Sequence, residues 1–102
     1  MYKTVISDAF EADLDSALTY IETELFNADA AANLLDRSEE TVARIAENPL
    51  MYPLYHDEDI AARGYHYAVV GNYLIFYTIN EAEKSVFIAR FLYGGQNITE
   101  QI

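Results

Sequence analysis

The chain has 102 residues, no cysteine, 52% hydrophobic residues and a formal net charge of −11. This is one domain's length with enough apolar material for a core, so a disordered chain is excluded. Disulfides and thiolate metal sites are excluded too, and the acidity argues against a general nucleic-acid binder, because phosphate contacts need clustered Lys and Arg.

The charge is uneven. Met1 to Asn48 holds eleven acids against three bases, and the rest of the chain six against three. The opening MYKTVISDAF has neither the basic region nor the long apolar run of a signal peptide. No apolar stretch approaches the roughly 18 to 20 residues of a membrane span. The expectation is a soluble, cytoplasmic, single domain over 1–102 that makes no membrane contact.

Tyr2 to Ser7 mixes β-branched and aromatic residues and reads as a strand. Asp8 and Glu11 then stand at the spacing of a capping box, predicting a helix start. Phe10, Leu14, Ala17, Leu18, Ile21 and Leu25 recur at three- and four-residue steps, so this helix carries one apolar stripe. Asn27 and Asp29 stop it and start a second helix, striped by Ala31, Leu34, Leu35, Ser38, Val42 and Ile45 and ended by Pro49. A tyrosine- and proline-rich loop follows. Gly71-Asn72 between two β-rich runs is a hairpin signal, and a second turn over Glu81 to Lys84 leads into SVFIARFLY. The tail GGQNITEQI reads as a turn or an ordered end. The predicted fold is α+β, in the order β-α-α-β-β-β, with a helical hairpin packed on a mainly antiparallel four-stranded sheet.

With a two-residue first turn, His66, Ala68 and Val70 oppose Tyr77, Ile75 and Tyr73. A regular second hairpin would continue that face with Val86, Ile88, Arg90 and Leu92, leaving Tyr65, Tyr67, Val69, Leu74, Phe76, Phe87, Ala89, Phe91 and Tyr93 on the other. Both faces are apolar, and one helical hairpin covers only one. The other is expected to be hidden by a loop, a second copy or a partner, which implies a protein interface.

The opening YKTVISDAFEADLDSALTYIETEL and, more specifically, the hairpin region VVGNYLIFYTINEAEKSVFIARFLYG resemble the RelE/ParE toxins of type II toxin–antitoxin modules, often labelled plasmid stabilisation proteins. The resemblance implies a small toxin neutralised by a cognate antitoxin. Its target would be translation, through ribosome-dependent mRNA cleavage, or DNA gyrase. It also makes Arg90, Tyr93 and Arg63 the catalytic candidates of an mRNA endoribonuclease. Gly95 stands where many relatives carry a further arginine, so the basic set of such an enzyme is incomplete. Antitoxin contact is assigned to His66, Tyr73, Ile75, Tyr77, Ile88 and Gln96.

Each residue also has a plainer reading. Arg90 can pair with a local acid, Tyr93 can pack at a strand end, and His66 between two tyrosines can be a packed, hydrogen-bonded histidine. The acids of HDED read as solvated loop residues, so no metal site and no cofactor are expected. Gly94 and Gly95 supply a turn. The reading from another class is a non-catalytic or degenerate interaction module on the same fold, including a homodimer without poison activity.

Overall fold

The computed structural model describes residues 1–102. In chain order it contains β1 (Lys3–Ile6), α1 (Asp8–Thr23), α2 (Ala28–Glu47), a 3-10 turn (Pro49–Met51), α3 (Glu58–Ala62), β2 (His66–Val70), β3 (Tyr73–Asn80), β4 (Ser85–Tyr93) and α4 (Ile98–Gln101). The strands form one sheet in the order β1-β4-β3-β2. Its two hairpins are antiparallel, while β1 joins β4 in parallel, returned to the sheet by the α1–α2 hairpin. The sheet is thus mixed, and the α+β arrangement read from sequence is the one observed.

Local chemistry sets the element ends. Ser7, not Asp8, caps α1: its hydroxyl accepts the Phe10 N–H at 2.9 Å. The cap therefore lies one residue earlier than predicted, and with Phe10 at N3 no reciprocal capping box forms. Asn27 caps α2 by accepting the Ala30 N–H at 3.0 Å, and α2 stops before Asn48-Pro49. In HDED, Asp57 accepts the Asp59 and Ile60 N–H groups and starts α3. The acidic run is thus the cap and first turn of a short helix, not the solvated loop that the sequence predicts. Gly71 takes the left-handed backbone (φ +60°) that the first hairpin turn needs.

The β2–β3 register is the one expected, with His66, Ala68 and Val70 opposite Tyr77, Ile75 and Tyr73. The β3–β4 pairing departs from expectation halfway along. Tyr77 faces Ile88 but Phe76 faces Arg90, so Ala89 is an extra, unpaired residue: a β-bulge. Past it every side chain changes face. Phe91 joins Tyr73 and Ile75 under the helices, with Tyr93 on the same face but 48% exposed, and Arg90 and Leu92 join Phe76 and Leu74 on the far side, the reverse of the sequence-derived assignment.

The helix-side core contains Phe10, Ala17, Leu34, Ile45, Ala68, Val70, Ile75, Tyr77, Val86, Ile88 and Phe91. On the other face a smaller core forms where Ile60 of α3 and Ile98 of α4 meet Phe76 and Leu92, with Tyr55, Tyr65, Tyr67 and Ile102 around them. The chain's own loop and tail therefore cover the middle of the second apolar face, which had been assigned to an interface. Val5, Val69 and Phe87 at its margins stay 47%, 60% and 43% exposed.

The Tyr77 hydroxyl, buried in the helix-side core, donates to the Pro49 carbonyl. Burial, reinforced by Tyr52, holds the Tyr77 phenol well above its usual value of 10.0. Tyr77→Phe should lower stability by about 1–2 kcal/mol at neutral pH in urea unfolding, because the Pro49 carbonyl loses its donor. A folded pKa above the unfolded one contributes stability that is present below pH 10 and declines above it, as the unfolded chain releases a proton that the folded chain keeps. The wild-type alkaline decline should be steeper than that of Tyr77→Phe by roughly 1 kcal/mol per pH unit.

Candidate functional site

A cleft of about 400 Å³ opens where the C-terminal half of β4 leaves the sheet, lined by Asp13 and Ser16 of α1, Tyr73 of β3, Arg90 and Tyr93 of β4, and Gln96 and Gln101 of the tail. The fold thus brings together four sequence-derived candidates: Arg90, Tyr93, Tyr73 and Gln96. Tyr93 packs edge-on to Tyr73, which stacks on Phe91 with ring centroids 4.9 Å apart. Gly95 completes this corner. A Cβ there would lie 2.5 Å from the Tyr93 ring, so the glycine lets the tyrosine lie across the chain.

Arg90 is the most constrained group in the cleft. Its Nε–H donates to Asp13 Oδ2 at 2.7 Å and its Nη2 to Oδ1 at 3.0 Å, a two-pronged ion pair. The third arm, Nη1, donates to the Gln101 carbonyl at 2.6 Å. Asp13 Oδ2 also accepts the Phe91 N–H at 3.1 Å. The two side chains are only 25% and 17% exposed. Hydrogen bonding to Asp13 holds the guanidinium pKa above its ordinary value, so Arg90 is a permanent cation with its charge matched inside the molecule.

Arg63 lies outside the cleft's lining. Its guanidinium sits over the Tyr65 ring and Nη1 donates to the Ile102 carbonyl at 3.1 Å. Both arginines of the second half thus hold the carbonyls of consecutive tail residues, where cations favour the C-terminal end of α4.

The residues assigned to antitoxin contact separate. Ile75, Tyr77 and Ile88 are 0% exposed beneath the helices, so no partner reaches them in this conformation; the face chosen for contact is the one α1 and α2 cover. His66 is half-buried, stacked on Tyr77, with Nδ1 2.8 Å from the Tyr52 carbonyl. A carbonyl only accepts, so that nitrogen carries the hydrogen, as expected of a packed histidine. Tyr73 and Gln96 stay accessible at the cleft.

Asp13 was missed by the sequence reading, although it left a signal. It lies between Phe10, Leu14 and Ala17, an acid beside an apolar stripe, and such a residue requires a cationic or N–H partner. Nothing local identifies that partner, which is 77 residues away.

Helices packed on a four-stranded mixed sheet form an α+β fold consistent with the small RelE/ParE-like toxins. Residues 5–98 match the family described as ParE toxin of type II toxin-antitoxin system, parDE, and the chain belongs to that family. It is a type II toxin by family, with a cognate antitoxin implied as its partner. No curated protein matches the chain. No helix is long and apolar enough to cross a membrane.

Asp13→Ala should destabilise the fold by about 2–4 kcal/mol, since it strands a half-buried guanidinium and the Phe91 N–H together. Arg90→Ala should cost less. The double variant should be more stable than the sum of the single effects predicts, by about 1–2 kcal/mol in a urea-unfolding cycle.

Proposed function

We propose that this toxin acts by binding its target, in the manner of the gyrase-inhibiting branch, and does not cleave mRNA. The observation that carries this reading is the Asp13–Arg90 ion pair: the arginine that would meet a scissile phosphate already has all three arms engaged within the chain. Phosphodiester cleavage concentrates negative charge in its transition state, and one missing preorganised donor costs on the order of a hundredfold or more. Here Arg63 is tied to the tail, Gly95 brings no cation, and Asp13 adds a carboxylate to the cleft. His66 does not line the cleft, being packed on Tyr77 with its Nδ1 on the Tyr52 carbonyl, so it is not placed to act as a base there. Arg90, Tyr93, Tyr73 and Gln96 are instead surface for recognition, and neutralisation by the cognate antitoxin completes the module.

The test is induced expression without antitoxin, followed by two readouts. Growth should arrest, messenger RNA should remain uncut at ribosomal A sites, and purified protein should block supercoiling of relaxed plasmid by gyrase. Cleaved mRNA with normal supercoiling would overturn the proposal in favour of the endoribonuclease. Normal growth at high levels of folded protein would favour an inert interaction module. Gly95→Arg, which displaces the Tyr93 ring and adds a cation, should weaken gyrase inhibition several-fold without creating mRNA cleavage.

A further inference from the structure

Away from the cleft, an apolar groove of about 280 Å³ runs between the two long helices beside β1, lined by Ile6, Phe10, Leu14, Ser38, Glu39 and Val42. Glu39 is its one charged lining residue. Ile6 is 37% exposed and Leu35, one residue from Asp36 on the same helix, 36%.

The charges around this groove are sorted by helix geometry. At 3.6 residues per turn, Glu11, Asp15 and Glu22 share one flank of α1 next to Leu14 and Leu18, whereas Asp13 and Tyr20 lie on the opposite flank. Asp13 reaches Arg90 on β4, so its flank faces the cleft; Leu14 shares the groove with Ser38 and Val42, so the other flank faces α2. Glu11 and Asp15 therefore rim the groove from α1. On α2, Val42, Leu35 and Glu39 share the flank towards α1, while Arg37 and Arg44 fall on the far flank, where Arg37 lies beside Gly71 and the first hairpin turn. The only ion pairs in the molecule are Arg44–Glu40, Lys84–Glu81 and Arg90–Asp13. Both rims are thus acidic, unpaired and free of bases.

Three carboxylates, Glu11, Asp15 and Glu39, around a partly exposed apolar strip repel one another and are stabilised by incoming positive charge. We infer that this groove receives a lysine- or arginine-rich amphipathic segment of the neutralising antitoxin, with its apolar side against Ile6, Leu14 and Val42 and its cations over Glu11, Asp15 and Glu39. The inference rests on the antitoxin-binding part of the reading above and adds the partner's chemistry: a basic segment for an acidic toxin. The apolar strip supplies burial, while the carboxylates set orientation, association rate and salt dependence.

Two synthetic amphipathic helical peptides with identical leucine positions, one flanked by lysines and the other by glutamates, serve as probes in fluorescence anisotropy with the full chain. The lysine peptide should bind at least about tenfold more tightly in low salt, and lose much of that advantage near 0.15 M salt. Combining Glu11→Gln, Asp15→Gln and Glu39→Gln should remove the preference. Combining Glu47→Gln, Glu83→Gln and Glu100→Gln, which changes net charge equally elsewhere, should leave it intact. Ile6→Gln, with its folding confirmed by circular dichroism, should weaken binding several-fold. Equal binding of the two peptides, equal loss in both charge-matched variants, or indifference to Ile6→Gln would each overturn the inference. Growth arrest is scored separately: its absence removes the toxin reading and leaves the peptide result standing, whereas a failed peptide preference with arrest intact removes only this docking chemistry.

Discussion

The Asp13 carboxylate and the bulge at Ala89 form one constraint on which much of the molecule depends. An extra residue in β4 leaves ladder groups without strand partners, and those groups are satisfied from α1. The Ser7 hydroxyl donates to the Ala89 carbonyl at 2.6 Å, and the Ser7 N–H to the Ile88 carbonyl at 3.0 Å. Asp13 accepts the Phe91 N–H and both near arms of Arg90. One helix start and one carboxylate thereby fix the helix against the strand, turn Arg90 out of the helix-side core, and bring Phe91 into contact with Phe10, with ring centroids 5.8 Å apart. A regular hairpin would have placed a guanidinium among Ile75, Tyr77 and Ile88, where an unpaired charge is not tolerated.

The two sheet faces are closed by elements of different strength. The helix side is sealed by two long helices with continuous apolar stripes. The far side is sealed by two short helices, α3 and α4, each contributing one fully buried isoleucine and held by the hydrogen bonds that Arg63 and Arg90 make to the tail. Arg63 and Arg90, the two cations that the sequence offers for phosphate chemistry, here fasten the cover of a hydrophobic core. Stabilising the tail and neutralising the cleft are consequences of the same contacts.

The acidity of the chain has a spatial pattern that its net value conceals. Of the second-half cations, Arg90 is largely enclosed and paired within the fold while Arg63 and Lys84 stay exposed, and most acids of the helical hairpin face solvent. A nucleic acid approaching from the helix side meets repulsion, while a cationic protein segment meets attraction. A toxin that works by contact with a protein is consistent with that surface, and so is a partner whose charge is opposite to its own.

The sequence by itself determined the elements, because their causes are local. Apolar stripes at helical spacing gave α1 and α2, Asn27 and Pro49 gave their boundaries, and Gly71-Asn72 set the first hairpin register. The hairpin motif also carried the family. What only the tertiary structure decided were the long-range choices. No local pattern marks Ala89 as the bulged residue, because the bulge is favoured by Ser7 and Asp13, more than seventy residues earlier. The far-side core escaped notice because Ile60 and Ile98 sit in helices of only five and four residues, too short for periodicity to show. The role of Arg90 was legible as a choice between a ligand and an acid, and the fold made that choice by placing Asp13 within 2.7 Å of it.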